Sequence, residues 1–278
     1  MAAEKLFSVP VPTIPSHPGG SIVCTTPSPR VYVLTFTSPN DNRLTPDFCH
    51  ALITALDIIE FGYEPGVVVT TSGIKKFYSN GLDLDLALST PGFWEDYLYP
   101  LYRRLLTYPM PTIAMINGHA FAGGFILAMH HDYRVFTSGG RGYACVNELE
   151  FGAALPPPMS AIFRVKTTPS VYRTLVLEAK RFDASAALES GLVDAVGEMD
   201  TVLKLIENQK LIDKPAAGVY GWLKAEMYSE VIDMLDVKNP SPTTQADIAR
   251  MGKKRKAEGQ AWLKKWKDSQ SRNLKAKL

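Results

Sequence analysis

Three short stretches of this chain hold residue types and spacings that could do chemistry. The first is Phe77-Tyr78-Ser79-Asn80-Gly81-Leu82-Asp83-Leu84, and the second is Asn117-Gly118-His119-Ala120-Phe121-Ala122-Gly123-Gly124. In each, a glycine turn closes a strand and opens a helix or loop. Glycine there lets a ligand approach the backbone and leaves peptide N–H groups without partners. Such N–H groups suit a developing anion. One glycine pair alone is more often only a tight turn. The third stretch, Asn147-Glu148-Leu149-Glu150-Phe151-Gly152, supplies two acids that could move a proton. On a strand Glu148 and Glu150 would share a face, so periodicity does not choose between them.

Other chemistries lack their residues. No GxGxxG, GxSxG or Walker lysine motif occurs, which argues against a dinucleotide fold, a serine hydrolase and a P-loop enzyme. Cys24, Cys49 and Cys145 form an odd set without CxxC spacing, so neither a disulfide framework nor a structural metal is expected, and a reducing compartment fits. Asp83 and Asp85 follow a glycine turn and read as helix-capping acids. His119 reads as a packing residue, and His130 and His131, being adjacent on a helix, would not face one ligand. Trp94, Tyr97, Leu98, Leu101 and Tyr102 form an apolar helical stripe that suits either an acyl tunnel or plain core.

The elements that must position these residues follow from the pattern. Residues 21–26 and 30–37 are β-rich and flank a Pro-Ser-Pro turn, which predicts a hairpin. Thr45-Pro46-Asp47 offers a capping hydroxyl, a proline at the first helical position and an acid in the first turn. The helix it starts carries Leu52, Leu56 and Ile59 on one face and stops near Gly62. Residues 66–71 form a β-branched run suited to a doubly buried strand. A second helix through Trp94 and Leu105 ends at Pro109 and Pro111, and strands are expected at 112–116, 133–137 and 194–196. Strand–turn–helix units with short connections argue for an α/β fold. Beyond residue 199 the strands run out, giving a core over 1–199 and a helical region over 200–278.

The 278 residues, 46% hydrophobic and 21% charged, have an ordinary globular composition with a net charge of +2. That charge is uneven. From Arg250 onward, Lys253, Lys254, Arg255, Lys256, Lys264, Lys265, Lys267, Arg272, Lys275 and Lys277 face only Glu258 and Asp268. This is either a solvated helix face or an attraction to an anionic ligand, phosphates or nucleic acid. No apolar run reaches the roughly 18–20 residues that span a bilayer, and residues 1–20 show neither a secretory nor a mitochondrial leader pattern. The chain stops at Ala276-Lys277-Leu278, close to the SKL peroxisomal address.

Taken together and in this order, the three stretches resemble the signatures of the crotonase (enoyl-CoA hydratase/isomerase) superfamily over about residues 30–196. The resemblance implies a spiral of repeated ββα units completed by C-terminal helices that pack in homotrimers or hexamers. It places oxyanion-hole N–H groups at Leu82 and Gly123, which would hold the thioester oxygen of an acyl-CoA substrate, with no separate cofactor and no metal. Around them substrate contacts are expected at Phe77, Asn80, Gly81, Phe125, Ile126 and Asn147, while Lys75 and Lys76, just before the first loop, either meet the CoA phosphates or adenine or are ordinary exposed lysines. Hydratases of the family use two acids, and the first would stand where this chain has Ile126. Dienoyl-CoA isomerases add an acid shortly after the third segment, and residues 153–158 hold none. Glu148 is left, in a setting similar to Δ3,Δ2-enoyl-CoA isomerases, with Phe125 and Ile126 expected to exclude water and raise its pKa. The spacing to Gly152 favours Glu148 over Glu150. The terminal tripeptide implies a peroxisomal import receptor and a peroxisomal location, with the cytoplasm as the alternative. A silent acyl-CoA- or RNA-binding member, or another thioester enzyme such as a hydratase or hydrolase, is the competing expectation. Aromatic RNA-recognition motifs are missing, which disfavours nucleic acid. Acyl chain length and the role of residues 1–20 are not legible.

Overall fold

The structure, a computed structural model, describes residues 4–137, 139, 142–236 and 245–275. The terminal Ala276-Lys277-Leu278 and the proline loop at 240–242 lie outside the described residues, as does the side chain of Lys267.

The chain opens with β1 (Glu4–Val11), which pairs antiparallel with β2 (Gly20–Ser28). Sequence periodicity assigned no role to residues 1–20, because Pro10, Pro12, Pro15 and Pro18 obscure the alternation; the strand sits at the sheet edge, where proline is tolerated. The expected hairpin forms between β2 and β3 (Val31–Thr37). Helix α1 (Pro46–Gly62) follows, with the Thr45 side chain accepting from Phe48 N–H as the N-cap. Its buried face of Phe48, Leu52, Leu56 and Ile59 contributes about 1.5–3 kcal/mol for each fully buried side chain.

The chain then makes strand–strand–helix turns. In the first, β4 (Val67–Ser72) and β5 (Phe77–Ser79) lead to α2 (Leu84–Ser89), then through a π-helical stretch at Phe93–Leu98 to α3 (Tyr99–Leu106). In the second, β6 (Thr112–Ile116) and β7 (His119–Phe121) lead to α4 (Gly123–Met129). In the third, β8 (Tyr133–Phe136) and β9 (Ala144–Cys145) lead to α5 (Glu148–Phe151). Each turn gives its first strand to one sheet and its second to another. The large sheet runs β1-β2-β3-β4-β6-β8-β10, closing on β10 (Ala195–Val196), and the small one runs β5-β7-β9. All pairs after the initial hairpins are parallel.

Alternation along β4 shows how the large sheet is buried on both faces. Val68 packs with Leu34, Leu52 and Ala114, whereas Val67 and Val69 pack with Ile113, Val135, Val202 and Ile206. The last two come from the helix Met199–Asn208. A strand buried on both faces needs cover on both sides, and this helix after residue 199 supplies it on one. Lys224, on the helix Tyr220–Met227, fixes the next layer, its buried Nζ lying 2.9 Å from Asp132 Oδ1 and 2.7 Å from Leu105 O. By contrast, every side chain over 250–265 on the final helix (Gln245–Lys275) is exposed.

Candidate active site

The small sheet brings the three sequence stretches together. Its strands are parallel and adjacent, so their C-terminal ends lie side by side: β5 leads to Asn80-Gly81-Leu82, β7 to Ala122-Gly123, and β9 to Asn147-Glu148. The edge beyond parallel strand ends is where loops can converge on a ligand. A cavity of about 330 Å³ opens there, lined by Leu82, Gly123, Asn147 and Glu148 together with Arg43, Leu84, Trp94, Phe151 and Met159, among others.

The first loop is held from outside by residues 38–45. Fully buried Asn42 donates through Nδ2 to Ser72 Oγ (2.6 Å) and Tyr78 O (3.1 Å), and its Oδ1 accepts from Ser38 N–H at 2.7 Å. Ser79 Oγ donates to Asn42 O and accepts from Gly81 N–H at 3.1 Å. Leu44 N–H donates to Gly81 O at 2.9 Å. Gly81 has φ +79°, and a Cβ there would lie 2.8 Å from Phe121 O and 2.9 Å from Gly123 N. Only glycine lets the two loops touch. Asp83 caps α2 through Leu86 N–H and meets His17 at 2.8 Å. Burial alone would raise the Asp83 pKa, but these hydrogen bonds bring it below the ordinary range.

The second loop turns on Ala122, at φ +50° and ψ −124°. Its N–H donates to Cys145 O at 2.9 Å, and its carbonyl accepts from Phe125 and Ile126 N–H groups. Among the described residues nothing accepts from the N–H of Leu82 or of Gly123. Two free donors thus face one cavity. An L-residue in the Ala122 conformation stores about 1–3 kcal/mol. Ala122→Gly is therefore expected to stabilise the fold by about 1 kcal/mol, once the roughly 0.5–1 kcal/mol entropy cost of glycine is subtracted. The check is a higher urea midpoint at unchanged denaturant slope.

Glu148 is buried, 8% exposed, and its Oε2 has no hydrogen-bond partner among the described residues; the same holds for Asn147 Oδ1. Burial drives the Glu148 pKa up to about 7, against a smaller lowering by its own backbone N–H. An acid poised there is both a usable base and a usable acid at neutral pH. Glu150 is separated from it by local geometry that periodicity left open. The segment is a helical turn, not a strand, because Gly152 at φ +71° closes it as a C-cap. Residues two apart on a helix point to different sides. Glu150 is accordingly exposed and pairs with Arg181 at 2.8 Å.

Several expected substrate contacts lie elsewhere. Asn80 and Asn147 line the cavity, and Gly81 shapes it. Phe125 and Ile126 do not line it: both are fully buried, because the first turn of α4 points them inward, Phe125 against Phe163 at 5.9 Å. The apolar lining around Glu148 comes instead from Leu82, Leu84, Trp94, Phe151, Ala153, Ala154 and Met159. Phe77 is half-buried against His119 (5.4 Å) and Phe121 (6.3 Å), away from the cavity, since the strand precedes the loop that reaches it. Lys75 and Lys76 are exposed on the approach to β5 and line no part of the cavity. Of the helical stripe, Trp94 reaches the cavity, whereas Leu98, Leu101 and Tyr102 are core. His119 is only half-buried, its Nδ1 accepting from Tyr143 N–H. His130 and His131 are wholly buried with pKa values pushed down to about 3 by desolvation. Arg43 was missed. Nothing in the spacing of Asp41-Asn42-Arg43-Leu44 ties it to a loop some forty residues away.

Comparison with known proteins now decides the family. Residues 27–237 match the enoyl-CoA hydratase/isomerase family. This chain belongs to that family. Over 215 residues it is 33% identical to enoyl-CoA delta isomerase 1, peroxisomal, of Arabidopsis thaliana, covering 73% of this chain and 88% of the relative. A putative enoyl-CoA hydratase of Thermus thermophilus is 35% identical over 164 residues, covering 56% of this chain and 62% of the other. The crystal structure of human mitochondrial delta3-delta2-enoyl-CoA isomerase superposes with a TM-score of 0.67 at 25% identity, covering 82% of this chain and 95% of that one. The strand–strand–helix spiral is the crotonase fold, and isomerases and hydratases share it.

Proposed function

We propose that the chain isomerises 3-enoyl-CoA to trans-2-enoyl-CoA by proton transfer at Glu148, in the oxidation of unsaturated fatty acids. One observation carries the reading: among the described residues, Glu148 is the sole carboxylate lining the cavity that holds the two free N–H groups. Adding water across a double bond in this family calls for a second acid to activate the water. Position 126 is a core isoleucine. One base with reach suffices to move a double bond. Glu148 takes a proton from C2, the negative charge spreads to the thioester oxygen held by Leu82 and Gly123, and the proton returns at C4. Each preorganised donor is typically worth about 2.7–4 kcal/mol. The name of the Arabidopsis relative supports a peroxisomal location. Exposed Val219, Trp222, Leu223 and Met227 form an apolar patch on the helical region, which supports assembly into homotrimers or hexamers.

The deciding assay presents 3-enoyl-, 2-enoyl- and saturated acyl-CoA side by side. Turnover of the 3-enoyl thioester alone is expected. Formation of 3-hydroxyacyl-CoA from the 2-enoyl thioester at a comparable rate would overturn the assignment.

A further inference from the structure

We propose that Arg43 is a positioning residue for the oxyanion hole, acting through the backbone of the first loop; this rests on the reading of Leu82 N–H as a thioester-oxygen donor. Its guanidinium Nη1 donates to Leu82 O at 2.7 Å and to Asn80 O at 3.3 Å. The carbonyl between them, Gly81 O, accepts from the neighbouring Leu44 N–H at 2.9 Å. One short segment therefore grips three consecutive carbonyls. The middle grip, made by Leu44, acts on the donor directly, because Gly81 O and Leu82 N–H belong to the same planar peptide unit, and Arg43 holds the peptides on either side of it. In a trans peptide the two groups point in opposite directions, so fixing the carbonyl on the Leu44 side aims the N–H away from it. The same bond polarises the peptide and strengthens its N–H as a donor.

Arg43 is itself held. Its Nε donates to Asp41 Oδ2 at 3.0 Å, and that oxygen also accepts from Asn80 Nδ2 at 2.7 Å. Asn80 N–H closes the ring on Asp41 O at 2.9 Å. A side chain that only balanced charge on the surface would need none of these contacts. Arg43 also lines both the catalytic cavity and an adjoining polar cavity of about 420 Å³ that includes Asp41, Asp83 and His17. Leu84 is the other residue that lines both. Lysine is only a partial substitute, since one ammonium cannot stand at both the Nε position that pairs with Asp41 and the Nη1 position that reaches the two carbonyls.

The test reads the donor without needing turnover. A saturated acyl-CoA carrying a ¹³C-labelled thioester carbonyl is bound to the wild-type chain, and the carbonyl stretch is recorded by difference infrared spectroscopy. Two polarising N–H groups should shift it to lower wavenumber. Arg43→Met should move the band back towards its free position and lower kcat by about 10- to 100-fold, short of the roughly 10²–10³ for deleting a donor outright. KM should stay within about threefold, the split expected when a hydrogen bond that strengthens greatly between bound thioester and transition state is weakened. Arg43→Lys, which keeps the charge, should fall between, and added guanidinium should restore part of the Arg43→Met loss. A band and a kcat unchanged in both variants would overturn the inference while leaving the isomerase reading intact. A carbonyl band unshifted in the wild-type chain would remove the oxyanion hole, and both proposals with it. An Arg43-dependent band in a chain inert towards 3-enoyl-CoA would uphold the inference and sink the isomerase.

Discussion

Glu148→Gln is expected to lower turnover of 3-enoyl-CoA by about 10²–10⁴-fold, the usual contribution of a positioned general base, while acyl-CoA binding persists. The amide keeps the shape of the side chain but takes no proton. Binding is measured by calorimetry and turnover by the appearance of the conjugated 2-enoyl thioester. Unchanged turnover would remove Glu148 from the mechanism. The wild-type pH profile should carry the same signature: with the Glu148 pKa raised to about 7, kcat/KM should rise as pH climbs through that value and the base ionises. Stability should move the other way. The folded pKa lies above the ordinary value of 4.5, so the stability present below pH 4.5 is lost as pH rises through 7, by up to about 3 kcal/mol. Glutamine has no charge to bury. The variant should therefore melt above the wild-type chain at pH 8, and the gap should close below pH 4.5. A gain in stability paired with a loss of activity marks a group whose burial serves chemistry.

The second large effect is expected at Gly81. Gly81→Ala places a methyl group between the two loops, 2.8 Å from Phe121 O and 2.9 Å from Gly123 N, at a φ of +79° that alanine adopts at a cost. Backbone atoms are the obstacles, so no flexible side chain can swing aside. The loops must part, and one donor loses its aim or is masked by the methyl. A fall in kcat of about 10²–10³ follows, the loss typical of one oxyanion donor. Circular dichroism and the melting temperature would show whether the fold is kept. A folded Gly81→Ala chain with full kcat would mean that Leu82 and Gly123 do not act as a pair.

Much of the fold was legible because its signals are local. Thr45-Pro46 caps α1 as the residue types require. The β-branched run at β4 became a strand buried on both faces, and each glycine turn fell at a strand end. Where local rules were spoiled, the reading failed. Prolines hid β1, and periodicity left open whether Glu148 stands on a strand or on the helical turn that Gly152 closes. Phe125 and Ile126 match family positions, yet their burial depends on where the body of the molecule lies relative to α4, which no spacing states.

The sequence by itself determined the residue types: two glycine turns that free backbone N–H groups, and one Asn-Glu pair closed by Gly152. Short-range sterics and hydrogen bonding suffice for that. Only the tertiary structure decided that the three stretches meet, because parallel pairing of β5, β7 and β9 sets their ends side by side. It also buried Glu148 while leaving Glu150 exposed against Arg181, and brought Arg43 to the loop that follows β5. Desolvation and through-space hydrogen bonds depend on what surrounds a residue in three dimensions, and neighbours distant along the chain supply that surrounding here.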